Sequence, residues 1–277
     1  MGELPDRTAR DLRSLIGRKA ISPVELFDAC CERIERVDPA VNAMVARNFE
    51  RGREAAQAAE AAVMRGEPLG LLHGLPVGVK DLTPTAGLRT TYGSLLYKDN
   101  VPEADDLTVA RVRAAGGIVI GKTNTPEFGA GANTINRVYG ATVNPFEPTL
   151  SCAGSSGGSA VALATGMVPL ATGSDMGGSL RTPASFCGVV GHRSSPGAVP
   201  SDTRRYGWTP LSVDGPMGRT VGDAALLMAA LVGASNHDPL SQDLSPGRES
   251  GEVGCIWVLQ HTATGSITQV EKAPEGH

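Results

Sequence analysis

The region from residue 151 to residue 191 reads SCAGSSGGSAVALATGMVPLATGSDMGGSLRTPASFCGVVG, and in it two glycine-serine segments alternate with apolar ones. A run of small residues at 159–165 predicts a closely packed helix, and residues 168–171 predict a short strand that leads into the second glycine-serine segment. Glycine-serine runs are often flexible linkers. Linkers do not alternate with periodic apolar segments, however, so the sequence predicts two loops on a rigid scaffold, with backbone N–H groups free to face a ligand.

The chain before this region alternates between helical and strand-like patterns. Ser22-Pro23-Val24-Glu25 is a capping box with proline at the first helical position, which predicts a helix. Residues 42–65, rich in alanine, glutamate and arginine, predict a second long helix, and residues 104–115 predict another. These three segments therefore predict helices, the second of which packs on the first.

Two apolar segments predict buried strands. GLPVGVKDL at 74–82 would deliver Lys80 at its end, and GIVIG at 117–121 is β-branched and bounded by glycines. Because these strands alternate with helices, we predict an α/β fold.

Composition narrows the possible partners. The 277 residues are 41% hydrophobic and carry a net charge of −4, with no basic stripe, which argues against nucleic acid. Five cysteines without a C-x-x-C pair indicate reduced thiols and no zinc site. The beginning of the sequence, MGELPDRTARD, is not typical of a targeting signal, and no apolar stretch is long enough to span a membrane. We therefore expect a cytoplasmic protein.

Two short motifs suggest other functions. Residues 116–123, GGIVIGKT, match the phosphate-loop pattern, but their centre has the composition of a strand, and Pro126 disfavours a helix that opens at once. Residues 154–158 match the nucleophile elbow of α/β-hydrolases, but the preceding NPFEPTLSCA is broken by proline. Nucleotide binding and a serine-histidine triad stay open as minor alternatives.

A serine nucleophile needs an adjacent base, and lysine serves as one only if its pKa is lowered by burial or by nearby positive charge. Lys80, at the end of an apolar strand, is the best candidate. Taken alone, it would more often be a strand-end lysine paired with Asp81.

Five segments together closely resemble the amidase signature family. They are GLPVGVKDL, GKTNTPEFG, YGATVNP, AGSSGGSAVALA and GSDMGGSLRTPASFCGVVG. The resemblance implies a Ser–Ser–Lys triad in which Lys80 is the base, Ser155 follows a cis peptide and bridges, and Ser179 is the acylated nucleophile. It also implies a mixed sheet flanked by helices on both faces, and no cofactor or metal.

The resemblance assigns supporting roles as well. The backbone N–H groups around the nucleophile would form the oxyanion hole, which is made of Met176, Gly177, Gly178 and Ser179. Asp175 and Arg181 would fix the loop, with a plain surface ion pair as the alternative, and Ser156 would be an auxiliary hydroxyl. Cys152 and Cys187 have no histidine partner and are interpreted as small buried residues.

This sequence departs from the family pattern in two small ways and one larger one. Ala153 replaces a glycine, and His192-Arg193-Ser194 stands where an apolar residue, a basic residue and proline are usual. The resemblance stops near Leu240, which divides the chain into a catalytic region, 1–240, and an unmatched tail, 241–277. Incompleteness at the C-terminal end is therefore expected, and the apolar run at 253–259 matches nothing in the family.

Three functions follow from the resemblance. The first is an amidase that cleaves a small-molecule carboxamide through an acyl-enzyme, either alone or as a homo-oligomer. The second is a truncated, non-catalytic fragment. The third is a glutaminyl-tRNA amidotransferase A-type subunit, whose family branch usually has Gln at the position occupied here by Thr182.

Overall fold

The computed structural model describes residues 3–203 and 206–242 and the backbone of two short strands further on. The α-helices are α1 (Ala9–Gly17), α2 (Pro23–Val41), α3 (Phe49–Arg65), α4 (Leu107–Ala114), α5 (Gly157–Ala164), α6 (Arg181–Cys187) and α7 (Val221–Leu231). The strands are β1 (Met44–Arg47), β2 (Pro76–Lys80), β3 (Ile118–Thr123), β4 (Ile135–Asn136), β5 (Gly140–Ala141), β6 (Leu170–Asp175), β7 (Val190–Gly191), β8 (Val213–Gly218), β9 (Leu259–His261) and β10 (Ile267–Gln269).

Among the described residues, six strands form one mixed sheet in the order β1-β3-β2-β6-β8-β7. The three central strands, β3, β2 and β6, run parallel, and the outer strands pair antiparallel. Because parallel strands share one direction, β2 and β6 carry their last residues, Lys80 and Asp175, to the same edge of the sheet. The predicted α/β class is confirmed.

Both faces of the central strands are buried. Ile118 and Ile120 on β3 pack into the main core, whereas Val119 packs into a second cluster with Val79 and Val109. Successive side chains of a strand point to opposite faces, so helices and loops must cover both sides of the sheet. Every residue of β2 is buried, Lys80 included.

The predicted helix start at Ser22 is confirmed. The Ser22 hydroxyl accepts the N–H groups of Val24 and Glu25, and the Glu25 carboxylate accepts the N–H of Ser22. This closes a capping box around Pro23.

The single helix predicted over residues 42–65 is wrong at its beginning. Met44–Arg47 form the edge strand β1, and α3 starts only at Phe49. The buried Asp38 carboxylate accepts the N–H groups of Ala43 and Met44 and so ends α2. The next residues then pair with β3. Sheet pairing has therefore overridden the local helix propensity.

Within the part of the chain that is described, no helix is long and apolar enough to cross a membrane. Nearly all of the apolar run at 253–259 lies outside the described residues.

Candidate active site

The site is built around Lys80, whose side chain is 1% exposed. Its Nζ donates hydrogen bonds to three serine hydroxyls: Ser155 Oγ at 2.7 Å, Ser156 Oγ at 2.8 Å and Ser174 Oγ at 3.0 Å. Burial lowers the pKa of Lys80 to about 7, although the charges of Asp214 and Asp175 act in the opposite direction. A good part of the amine is therefore neutral at neutral pH and can accept a proton.

The segment that presents Ser155 has an unusual backbone. The Gly154–Ser155 peptide is cis, and Ala153 has a φ of +60°. The Ala153 carbonyl accepts the N–H and the hydroxyl of Thr134, and the Ser151 hydroxyl accepts the Ala153 N–H. Residues with a Cβ rarely adopt a positive φ, so glycine, which the family pattern implies at this position, would fit here without strain.

We expect Ala153→Gly to raise the free energy of unfolding by about 0.5–1 kcal/mol. Glycine removes the strain of the left-handed conformation in the folded state. Its greater freedom in the unfolded chain offsets part of this stabilisation. Urea unfolding would measure this change. Ala132→Gly, at an exposed position, is the control and should not stabilise the protein. A loss of stability in Ala153→Gly would contradict this explanation.

The turn after β6 is organised by the buried carboxylate of Asp175. This carboxylate accepts the N–H groups of Gly178 at 2.8 Å and Leu180 at 3.2 Å, and it forms an ion pair with Arg181 at 2.9 Å. Burial raises the pKa of Asp175, but these hydrogen bonds outweigh it and lower the pKa to about 2. The buried Asp175 carboxylate thus binds two N–H groups of the turn that contains Ser179, and the half-exposed Arg181 side chain pairs with it.

Arg193 also holds this turn, a role that the sequence reasoning missed. Its guanidinium donates to the Asp175 carboxylate at 3.0 Å and to the Asp175 carbonyl, and its other nitrogen donates to the Leu211 carbonyl at 3.0 Å. The available signal was the basic residue in His192-Arg193-Ser194, at the position where the family is also basic.

The turn leaves donors free beside the nucleophile candidate. The N–H groups of Met176, Gly177 and Ser179 make no hydrogen bond to any described residue, whereas Gly178 N–H is used by Asp175. Gly178 has a φ of +116°, a conformation that glycine adopts readily. The Ser179 carbonyl accepts the Ser156 N–H at 3.2 Å, which ties this turn to the Ser155 segment.

Ser179 is half-buried, and its hydroxyl makes no hydrogen bond to the residues that the structure describes. Met176 and Gly177, just before it in the turn, are exposed. The structure brings Lys80, Ser155 and Ser156 into direct contact. It connects Ser179 to them through the backbone.

Ser174 was also missed by the sequence reasoning. Its only signal was a place in the glycine-serine segment that follows the strand predicted at 168–171, and a serine is too common there to be singled out. Its contact with Lys80 depends on the neighbouring positions of β2 and β6 in the sheet.

We expect Ser174→Ala to move the midpoint of the pH–activity curve downward by about 0.5–1 unit, because a hydrogen-bond acceptor that stabilises the protonated lysine is lost. The measurement is kcat/KM against pH. Ser195→Ala, at an exposed serine, is the control. An upward move, or none, would contradict the role of this contact.

The two competing motifs are explained by the fold. Residues 118–123 form a strand, and the buried Lys122 Nζ donates to the Thr83 carbonyl and to Thr85 Oγ1. The central residues of the phosphate-loop pattern are therefore not a loop. A nucleophile elbow requires a strand directly before its serine. In the described region around Ser156, no strand stands there. Cys152 and Cys187 are both fully buried.

The fold and the site together define a class: α/β proteins in which a buried strand-end lysine contacts serine hydroxyls next to a glycine-rich turn. Residues 25–253 match the family model described as Amidase. The chain belongs to the amidase signature family.

The chain resembles an acylamidase from Rhodococcus erythropolis, 41% identical over 84% of this chain and 49% of the relative. It resembles the A-type subunit of the glutamyl-tRNA(Gln) amidotransferase from Thermus thermophilus, 41% identical over 96% of this chain and 56% of the relative. The solved structure of a bacterial aryl acylamidase superimposes with a TM-score of 0.83, at 36% identity, over 87% of this chain and 50% of that one. The chain spans about half the length of the relatives it matches.

Proposed function

We propose that this chain carries the catalytic residues of an amidase, which hydrolyses a carboxamide to a carboxylic acid and ammonia or an amine. The observation that carries the proposal is the 2.7 Å contact between the buried Lys80 Nζ and Ser155 Oγ. A lysine with a pKa of about 7 is matched to general-base catalysis near neutral pH.

In the proposed reaction, neutral Lys80 takes the proton of Ser155 while Ser155 takes that of Ser179. Ser179 Oγ then attacks the carbonyl carbon of the amide and forms a tetrahedral oxyanion. When the carbon–nitrogen bond breaks, Ser155 gives a proton to the leaving nitrogen and regains one from Lys80. Water then attacks the acyl-enzyme by the same route and releases the acid.

The free N–H groups of Met176, Gly177 and Ser179 are suited to stabilise the oxyanion. Losing one such donor typically raises the barrier by about 3–4 kcal/mol. Gly178 N–H, predicted as a fourth donor, is engaged by Asp175 and in this proposal holds the turn. Asp175 and Arg181 are positioning residues, and Ser156 holds Lys80 Nζ from a second side.

The known relatives favour this function. The names of the acylamidase and the aryl acylamidase both describe enzymes that act on amides. The similarity to an A-type amidotransferase chain keeps a component of a larger assembly as the second candidate. Thr182 speaks against it, because that branch usually has Gln at this position.

Exposure to a fluorophosphonate, followed by mass spectrometry of peptides, tests the proposal. We expect one adduct, on the peptide that contains Ser179. A protein that unfolds cooperatively but gains no adduct and hydrolyses no amide would instead be a non-catalytic fragment. Glutaminase activity that appears only with partner subunits would favour the second candidate.

A further inference from the structure

A carboxylate on β8 stands beside the lysine of the site. In the antiparallel pair of β6 and β8, Asp214 lies directly opposite Ser174. Directly opposite residues point to the same face of a sheet, with Cβ atoms about 4.5–5.5 Å apart. Ser174 Oγ accepts a hydrogen bond from Lys80 Nζ at 3.0 Å. The side chain of Asp214 therefore stands next to the hydroxyl that Lys80 contacts, on the same face of the sheet.

The backbone of Asp214 is fixed in this place. Its strand, β8, is hydrogen-bonded to β6 on one side and to β7 on the other. The Asp214 carbonyl also accepts the hydroxyl of the buried Ser194 at 2.8 Å. Asp214 is half-buried, and salt screens a partly buried charge less than an exposed one. Its carboxylate can thus act on a group one strand away.

Among the described residues, Asp214 and Asp175 are the charged groups that act on Lys80, and Asp214 acts the more strongly. Both raise the pKa of the lysine, against the larger effect of burial. Asp175 forms ion pairs with Arg181 and Arg193, whose positive charges offset part of its effect on the amine. Asp214 is therefore the carboxylate whose loss Lys80 should feel most.

The other neighbours of Lys80 are uncharged where it titrates. On β3, Thr123 lies opposite it, and the segment before α5 brings the hydroxyls of Ser155 and Ser156. His192, whose backbone N–H donates to β8 at 3.1 Å, has a pKa that burial lowers below its ordinary value. Its ring is therefore mostly neutral near pH 7, so a change of midpoint in this range reports on Lys80.

The proposed reaction gives a nearby negative charge two opposite effects. Lys80 starts as a neutral amine and becomes an ammonium when it takes the proton of Ser155. A carboxylate beside it stabilises this ammonium and so favours the transfer. The same carboxylate lowers the fraction of lysine that is neutral at a given pH.

We propose that Asp214 is a positioning residue of this enzyme, whose carboxylate stabilises the ammonium form of Lys80 and thereby sets the pH range of activity. The inference rests on the proposed function, in which Lys80 is the base. Asp214 acts through Lys80, because the Ser174 contact lies between the two strands that carry them.

The test is Asp214→Asn, which removes the charge and keeps the size of the side chain. The protein is labelled with ¹³C at the lysine Cε, and its resonances are followed against pH by NMR. The chain has only five lysines, and the Lys80 resonance is the one that Lys80→Met lacks. We expect the midpoint of this resonance to fall by about 0.5–1 unit in Asp214→Asn.

The kinetics of the same variant should change in two ways. The midpoint of kcat/KM against pH should fall by about the same 0.5–1 unit. Above the midpoint, kcat/KM should be about two- to fivefold lower than in the wild type, because a weaker base takes the serine proton less readily. A side chain that only supported the fold would lower activity without moving either midpoint.

Asp214→Glu keeps the charge and should hold both midpoints within about 0.3 unit of the wild type. Asp99→Asn removes a carboxylate whose side chain is 83% exposed and is the matched control, with no change expected. Asp214→Ser repeats the test in case Asp214→Asn does not fold.

An unchanged or raised Lys80 midpoint in either neutral variant, or an equal fall in Asp214→Glu, would overturn this inference. Amide hydrolysis by the wild type would then leave the proposed function standing. A wild type that hydrolyses no amide would overturn the proposed function, and the Lys80 resonance would still decide whether Asp214 stabilises the ammonium.

Discussion

Replacing Ser179 by alanine is expected to lower kcat/KM for every amide that the wild type hydrolyses on the order of 10⁴-fold or more, and to abolish the fluorophosphonate adduct. Alanine has no oxygen to attack the carbonyl carbon, so the acyl-enzyme cannot form. Ser179 is half-buried, and its hydroxyl makes no hydrogen bond to a described residue. Its removal should therefore change the free energy of unfolding by less than about 0.5 kcal/mol.

The control for this variant is Ser195→Ala, which removes an exposed hydroxyl from the same part of the chain. It should keep wild-type turnover and labelling. An adduct that persists in Ser179→Ala would show that another residue is the nucleophile.

Replacing Lys80 by methionine is expected to lower kcat/KM about 10³-fold or more at neutral pH, because the loss of a general base removes at least this much catalysis when the nucleophile depends on it. Methionine fills most of the buried space left by the side chain. Its thioether cannot take the proton from Ser155.

The pH dependence follows from the same group. The base must be neutral, and its pKa is about 7, so kcat/KM should rise with pH to a midpoint near 7 and then level off. Below the midpoint it should fall about tenfold per pH unit, because each unit lowers the neutral fraction tenfold. A profile without a midpoint between about 6 and 8 would contradict the assignment of Lys80 as the base.

The free energy of unfolding should also depend on pH, because Lys80 binds protons differently in the folded and unfolded states. A lysine whose pKa is lowered on folding binds more protons in the unfolded state, so the free energy of unfolding rises with pH between about 7 and 10.5. Lys80→Met should therefore be more stable than the wild type at pH 6, and this difference should shrink as pH rises. Urea unfolding at several pH values would measure it.

Lys122→Met is the matched control for the lysine. Lys122 is also fully buried, and burial lowers its pKa to about 7 as well. Its Nζ contacts Thr83 and Thr85 and no serine of the site. Folded Lys122→Met should keep the pH midpoint of activity. Loss of that midpoint in this variant would make Lys122 the titrating group.

The sequence predicted the features that depend on local patterns. The capping box at Ser22, the strand ending at Lys80 and the strand in place of a phosphate loop are confirmed, because side-chain spacing and β-branched composition act over a few residues. Membership of the amidase signature family is also confirmed. The roles given to Lys80, Ser155 and Ser179 stay predictions.

Tertiary structure decided the rest. Residues 44–47 leave the predicted helix because β3 offers hydrogen bonds that a local pattern does not reveal. Ser174 and Arg193 join the site through strand neighbours and loops distant in sequence. The resemblance of five sequence segments to the family named the lysine and the serines. Only the packed fold could lower the pKa of Lys80, because that shift comes from removing water around the amine, and water is excluded by residues from every part of the chain.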